Sequence, residues 1–140
     1  MKAPGTADYP LAETRPEAIR GKRGLALNDI TLDAVLAGRV TMEDLQITAP
    51  ALQDQSAIAA DAGRPTLGRN FLRAAELVGV PQDLIMSTYE LLRPGRAASP
   101  ADLLARADLL RRDYNATSIA DFLTEAAQVY EKRGVFTYRF

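Results

Sequence analysis

The sequence predicts an all-α protein, in which short helices are followed by a bundle of about four longer helices. From Asp29 onward, apolar residues recur at helical spacing, and glycine or proline separates most periodic segments from the next. Alternation of apolar and polar residues is confined to the last six positions, which predict a short extended C-terminal tail. Residues 1–28 are rich in proline, glycine and charge without a sustained period. We interpret them as an extended N-terminal arm or leader, and residues 29–140 as a single helical domain.

Two short helical segments open the predicted domain. Thr31 precedes the first and Gly38 follows it, because threonine favours the N-cap of a helix and glycine its C-terminal stop. Thr41, with Asp44 three residues later, repeats the capping pattern and opens one further turn.

The longer segments each begin or end at a capping residue, a proline or a glycine. Ser99-Pro100-Ala101-Asp102 is the clearest start, since it combines an N-cap, a proline at the first position and a capping acid. Asp121 is expected to act as a cap in the last helix, and Tyr89 to lie on the buried stripe of its own helix. The predicted segments run from Thr48 or Pro50 to about Ala62, Leu67 to Val78, Pro81 to Leu92, Ser99 to Tyr114, and Thr117 or Ser118 to Gly134.

Composition excludes several functional classes. With 17 basic and 18 acidic side chains the net charge is -1, so the chain lacks the positive field that holds nucleic acid. It has no cysteine and no histidine, which removes thiolate chemistry, zinc–thiolate sites and the commonest general base. The lysines are confined to Lys2, Lys22 and Lys132. No apolar run approaches the roughly 20 residues that span a bilayer, and we expect a cytoplasmic location.

The segment from Leu67 to Arg96 has the outline of a helix-turn-helix, with the turn at Val78 to Pro81. A DNA-reading helix carries basic residues on its exposed face. The second helix here carries none before Arg93. An ordinary corner between two helices is therefore the favoured interpretation.

Four aspartates near the C-terminus raise the question of a metal site or a catalytic carboxylate pair. Asp102 and Asp121 are better explained as helix caps. Asp108 and Asp113 lie among arginines and are typical of a solvated charged face. No glycine-rich phosphate loop of the required spacing occurs.

Two features are candidates for contact with another protein. The turn Arg93-Pro94-Gly95-Arg96 carries two arginines, whose forked guanidinium groups suit paired carboxylates at interfaces, although a plain solvent loop remains an alternative. The tail carries aromatic rings at every second position, which are either docked on their own domain or buried in another chain: Phe136, Tyr138 and Phe140.

The order of several motifs resembles the small subunit of adenosylcobalamin-dependent diol and glycerol dehydratases. The two most specific runs are Asn-Phe-Leu-Arg-Ala-Ala-Glu-Leu at 70–77 and Tyr-Glu-Leu-Leu-Arg-Pro-Gly-Arg at 89–96. The resemblance covers nearly the whole chain from Asp8 onward. The remaining matches are Tyr9 to Ala12, Asp29 to Val35, Gln55 to Arg64, Val80-Pro81 and Val129 to Gly134.

This resemblance implies an assembly of two large, two medium and two small subunits. The large subunit is then a TIM barrel that holds substrate and metal, and adenosylcobalamin lies between the large and medium chains. The small subunit binds the outside of the large one and contributes no catalytic, cofactor-binding or metal-binding residue. The residues expected to contact the large subunit or to shape the surface that does so are Asn70, Phe71, Arg73, Tyr89, Arg93 and Arg96, with Phe136, Tyr138 and Phe140 in the tail.

The resemblance also implies a reaction in which a 1,2-diol or glycerol becomes an aldehyde and water through an adenosyl radical. Leader segments on smaller subunits of relatives can direct the enzyme into a bacterial microcompartment. Residues 1–28 are therefore a candidate leader, although Pro16, Gly21 and Gly24 interrupt any long amphipathic helix.

Two alternatives to a dehydratase subunit are a free-standing helical adaptor and an independent enzyme that uses carboxylates. The sequence does not distinguish glycerol from 1,2-propanediol as substrate.

Overall fold

The computed structural model describes residues 3–137. This part of the chain contains seven α-helices joined by turns and short 3-10 helices, and it has no β-strand. The predicted all-α class is therefore confirmed. The chain forms two compact units, an N-terminal unit that ends at Val78 and a C-terminal unit that begins at Gly79. The predicted division into an arm of residues 1–28 and one domain of residues 29–140 stays a prediction.

The N-terminal unit combines short helical turns with one pair of longer helices. Thr48 begins the first long helix by accepting a hydrogen bond on its side-chain oxygen from the Ala51 N–H, at 3.3 Å. Gly63, with φ of +73°, stands just beyond the end of the same helix. In chain order the α-helices are α1 (Leu11–Thr14), α2 (Leu32–Leu36), α3 (Ala49–Asp61) and α4 (Pro65–Leu77), and the 3-10 helices are Thr6–Asp8, Pro16–Ala18, Leu27–Asp29 and Met42–Leu45.

The first residues of this unit are not an extended arm, which corrects the sequence-based expectation for the described positions. Three short helical turns occur between Thr6 and Ala18. The Thr6 N–H and hydroxyl both donate to one carboxylate oxygen of Asp61, each at 2.7 Å. This carboxylate lies at the end of α3, so a contact distant in sequence fixes the chain at Thr6. A role in targeting stays a prediction.

Helices α3 and α4 pack closely because Gly68 has no side chain. A Cβ atom at this buried position would lie 3.0 Å from the Ser56 carbonyl oxygen of α3. Since that oxygen belongs to the backbone, a larger residue must move one helix away from the other.

We therefore expect Gly68→Val to lower the free energy of unfolding by about 1–3 kcal/mol, which is the usual cost of overpacking. Gly79→Val is the matched control, because a Cβ there meets nothing within 4 Å. Urea denaturation followed by circular dichroism measures both. Equal losses in the two variants would contradict close packing at Gly68.

The C-terminal unit contains α5 (Gln82–Leu92), α6 (Pro100–Tyr114), α7 (Thr117–Lys132) and a 3-10 helix at Val135–Thr137. The predicted cap of α6 is confirmed, because the Ser99 N–H donates to Asp102 Oδ2 at 3.1 Å. Asn115, with φ of +53°, turns the chain between α6 and α7 in the left-handed conformation. Five helices of eleven or more residues are thus present in residues 3–137, one for each of the five longer segments predicted individually, although the bundle was expected to contain about four.

Helices α6 and α7 share the core of this unit. Leu103, Leu110 and Leu123 are fully buried. Small side chains fill the space between them, which lets the two helix backbones approach closely. The buried small residues are Ala107, Ala116, Ala120 and Ala127.

Candidate functional site

The predicted arginine turn is exposed at the C-terminal end of α5. Arg93 Nη1 lies 3.1 Å from Glu90 Oε1, and Arg96 Nε lies 3.7 Å from Glu90 Oε2. Tyr89 precedes this glutamate and is 60% exposed, so its expected place on the buried stripe of α5 is wrong. The buried residue of α5 is instead Thr88, whose hydroxyl donates to the Leu84 carbonyl. One carboxylate therefore faces two guanidinium groups beside an exposed aromatic ring, which leaves net positive charge for an acidic partner.

Arg106 attaches α6 to α5 through the residues of α5 that precede Tyr89. Its Nη1 donates to the Thr88 hydroxyl at 2.7 Å and to the Ser87 hydroxyl at 2.8 Å. These bonds fix the helix that carries Tyr89.

The other predicted contact residues are divided between the two units. Asn70 is exposed on α4, while Phe71 and Arg73 are half-buried there. Phe136 belongs to the C-terminal unit, where it packs edge-on against Tyr130 with ring centroids 6.0 Å apart. The assignment of all these residues to a subunit interface stays a prediction.

The described part of the tail is not extended, which corrects the fold expectation. Val135–Thr137 forms a 3-10 helix directly after α7, and the Thr137 hydroxyl donates to the Gly134 carbonyl at 2.6 Å. Tyr138 and Phe140 lie outside the described residues. The aromatic tail was expected to dock on its own domain or to be buried in another chain. Phe136 docks on its own unit, against Tyr130.

The predicted capping role of Asp121 is wrong. Helix α7 begins at Thr117 without a side-chain cap, and Asp121 instead accepts from Arg111 Nη2 at 2.8 Å. Asp108 lies 3.4 Å from the same arginine, and Asp113 lies 2.7 Å from Arg112 Nε. Because Arg112 donates a hydrogen bond to it, the pKa of Asp113 is lowered. These three acids therefore belong to ion pairs on the surface, as expected for Asp108 and Asp113.

A surface of large apolar side chains on the N-terminal unit was not predicted from the sequence. We call it the apolar ridge and define it by Leu32, Val35, Leu36, Met42, Leu45 and Ile47. Leu36 is 76% exposed and Met42 77% exposed, and the remaining four are also exposed. The only signal in the sequence is that α2 has more large apolar residues than its short length can bury. Periodicity does not show which face is covered.

An ion pair fixes the backbone beneath the ridge. Arg23 Nε donates to both carboxylate oxygens of Asp44, at 2.9 and 3.0 Å, and Arg23 Nη2 donates to the Arg39 carbonyl at 2.7 Å. The Thr41 N–H donates to Asp44 Oδ2 at 2.9 Å. Asp44 is buried, and the hydrogen bonds from Arg23, with those from Thr41, lower its pKa from 3.8 to about 2.

Gly21 leaves the space that this ion pair needs. A Cβ atom at Gly21 would lie 2.9 Å from the Asp44 carbonyl oxygen. The backbone at Gly21, which precedes the ridge in sequence, therefore passes directly against Asp44, the residue that anchors the ridge.

The ridge borders a groove of about 790 Å³ in the same unit, since Ile47 also lines that groove. Apolar residues such as Tyr9, Ile19 and Val78 form part of its wall. Arg15 lines it as well and is paired with Asp8 at 2.7 Å.

No group of three or more acidic side chains within residues 3–137 has the arrangement of a metal site. None of the described helices has the length and apolar character to cross a membrane.

Comparison with known proteins identifies the family. Residues 5–137 match the model of the family described as dehydratase small subunit. The propanediol dehydratase small subunit of Salmonella typhimurium is 46% identical over 127 residues, which is 91% of this chain and 73% of that protein. The same subunit of Citrobacter freundii is 45% identical over 126 residues, which is 90% of this chain and 73% of that protein. The chain therefore belongs to the dehydratase small subunit family.

Proposed function

We propose that this chain is the non-catalytic small subunit of an adenosylcobalamin-dependent dehydratase. The complex converts 1,2-propanediol to propanal and water, or glycerol to 3-hydroxypropanal and water. The observation that carries the proposal is the 46% identity, over nine-tenths of the chain, to a propanediol dehydratase small subunit. Large, medium and small chains assemble as two copies of each, and this chain stabilises the large one.

The residues of this chain do not suit the cofactor or its cobalt. Imidazole, thiolate and thioether groups are the side-chain ligands best suited to a late transition metal such as cobalt, and the sequence has no histidine and no cysteine. Of its three methionines, Met42 and Met86 are exposed at separate positions. We therefore assign adenosylcobalamin to the large and medium subunits, and we derive no chemical step from this chain.

The test of this proposal compares three samples with adenosylcobalamin and either 1,2-propanediol or glycerol. They are the isolated chain, the large and medium subunits together, and all three subunits together. We expect aldehyde formation only where the large and medium subunits are present, and slower thermal inactivation when this chain is added. Aldehyde formation by the isolated chain would overturn the non-catalytic role, and an unchanged rate of inactivation would overturn the stabilising role.

The arginine turn provides a prediction about assembly. Replacing Arg93 and Arg96 together by alanine should weaken binding to the large subunit by about tenfold or more, because two charges that can pair with partner carboxylates are lost. Both side chains are exposed, and their ion-pair partner within residues 3–137 is Glu90. We therefore expect the helical signal of the isolated variant to stay unchanged.

The control replaces Lys132 and Arg133, which are exposed at the end of α7, and removes the same charge. Isothermal titration and circular dichroism measure the two effects. A parallel loss of helicity and affinity, or equal loss of affinity in the control, would contradict a contact at this turn.

A further inference from the structure

Apart from Ile47, the apolar ridge lies on two successive helices that both present their large side chains to solvent. Leu32, Val35 and Leu36 occupy positions i, i+3 and i+4 of α2 and so share one face. All three are exposed, while the small residue Ala34 is buried. Amphipathic helices of a complete fold place their large apolar side chains inward. Helix α2 has the opposite arrangement.

The second helix of the ridge repeats this arrangement. Met42 and Leu45 lie three residues apart on a 3-10 helix, where side chains at this spacing eclipse one another. Both are exposed, and the buried residue of that helix is the charged Asp44. The polar side therefore faces inward, and the apolar side faces solvent.

Local interactions hold the ridge in this orientation. The Thr31 hydroxyl accepts from the Ala34 N–H at the start of α2. The Val40 and Arg39 N–H groups donate to the Ala34 carbonyl at its end. The chelate between Arg23 and Asp44 fixes the 3-10 helix. Since both helices are anchored on their inner side, their exposed apolar side chains are held outward within a segment of sixteen residues, and exposed apolar groups of this kind mark binding sites in proteins.

The charged residues beside the ridge indicate which kind of molecule covers it. Asp29 and Asp33 are exposed beside the ridge, and neither forms an ion pair within residues 3–137. Arg39 is the exposed cation within residues 29–47, and the two other acids there, Glu43 and Asp44, are paired with Lys22 and Arg23, so the unpaired charges beside the ridge sum to -1. A second copy of this chain would place acidic groups against acidic groups, and an anionic lipid surface would repel them. The charges favour a different protein whose apolar surface has lysine or arginine at its margin.

We infer that the apolar ridge is the surface through which this chain docks on the large subunit of its dehydratase. This inference rests on the proposed function. Ile47 belongs both to the ridge and to the wall of the groove, so the docking surface continues into a concavity that accepts a projecting side chain of the partner.

The test uses the full chain and measures binding to the large subunit by isothermal titration. Leu36→Glu with Met42→Glu should weaken binding about a hundredfold, because it places charge inside the contact. Leu104→Glu with Gln128→Glu adds the same charge at exposed positions of the C-terminal unit and should change binding less than about threefold. Leu36→Ser with Met42→Ser is a second variant without charge, and we expect about tenfold weaker binding. Circular dichroism verifies that each variant folds.

A charge test accompanies the apolar one. Asp29→Asn with Asp33→Asn should weaken binding several-fold and reduce its dependence on salt. The matched control is Glu125→Gln with Glu131→Gln on the exposed surface of α7. Tighter binding after neutralisation of Asp29 and Asp33 would overturn the assignment of a basic partner surface.

The outcomes distinguish this inference from the proposed function. If the wild-type chain does not bind the large subunit, the proposed function fails. If it binds and both ridge variants bind equally well, only the docking surface is wrong. Sedimentation of the wild-type chain as a dimer that Leu36→Glu with Met42→Glu dissociates would assign the ridge to a second copy. Ridge-dependent binding to vesicles containing phosphatidylserine would assign it to lipid. Either result overturns the inference.

Discussion

Leu123→Ala is expected to lower the free energy of unfolding of the C-terminal unit by about 3–5 kcal/mol. The side chain is fully buried on α7, and its removal leaves a cavity that the neighbouring alanines are too small to fill. The two other fully buried large side chains, Leu103 and Leu110, lie on α6. They are held by the same core and have limited freedom to collapse into the space.

Urea denaturation of the full chain, followed by circular dichroism, measures this loss. Leu104→Ala is the control, because Leu104 lies on α6 and is 41% exposed, and its truncation should cost less than about 1 kcal/mol. Similar losses for the two variants would show that the core of this unit does not lie between α6 and α7 at Leu123.

Arg23→Ala should produce the largest loss of stability among surface substitutions in the N-terminal unit. It leaves the Asp44 carboxylate buried without the guanidinium group that chelates both its oxygens. We expect the melting temperature at neutral pH to fall by roughly 5 °C or more. Arg112→Ala is the matched control, because Arg112 also chelates an aspartate, Asp113, but in an exposed pair.

The same ion pair predicts how stability depends on pH. The pKa of Asp44 is lowered to about 2 by its hydrogen bonds from Arg23 and Thr41, so the folded state binds a proton less readily than the unfolded chain. Its contribution to stability is therefore complete above about pH 4 to 5 and is lost as the pH falls toward 2. In Arg23→Ala the pKa of Asp44 should rise.

Melting temperatures measured between neutral pH and about pH 2 test this dependence. Because Arg23→Ala already lacks the ion pair, its stability should fall less steeply with acid than that of the wild type. Parallel acid profiles for the two proteins would contradict the role assigned to this pair.

Much of the helical fold follows from local sequence. The caps at Thr31, Thr48 and Ser99 are formed by residues only three positions apart, so their signals are complete within one turn. Asp121 shows the limit of such reasoning. An acidic residue near the start of a helix resembles a cap. Asp121 is instead paired with Arg111, which extends from α6. That contact depends on how the two helices pack.

The start and end of the chain were less predictable for a related reason. Thr6 is bound by Asp61, 55 residues away, and no local pattern indicates that pairing. Proline and glycine in the leader predicted an extended arm, whereas tertiary contacts fold it into short turns. The alternating pattern of the tail predicted an extended segment. In the structure Phe136 lies in a 3-10 helix and packs against Tyr130 of α7.

The candidate interface was predictable only in part. Arg93 and Arg96 share one exposed turn because they are close in sequence, which the motif itself indicated, whereas Tyr89 was expected on the buried stripe of α5 and is exposed. The apolar ridge was not predictable. A pattern such as Leu32, Val35 and Leu36 indicates a helix face but is the same whether that face is covered by the chain or by a partner. Only the burial of Ala34 and Asp44 shows which side faces inward.

Native mass spectrometry of this chain, co-expressed with the proposed large and medium dehydratase subunits, tests whether it is a docking subunit. We expect a complex with equal numbers of large, medium and small chains. The variant Leu36→Glu with Met42→Glu should be absent from this complex, and the control Leu104→Glu with Gln128→Glu should be retained in it. A large and medium complex that never contains this chain, although the chain itself is folded, would contradict its assignment as a docking subunit.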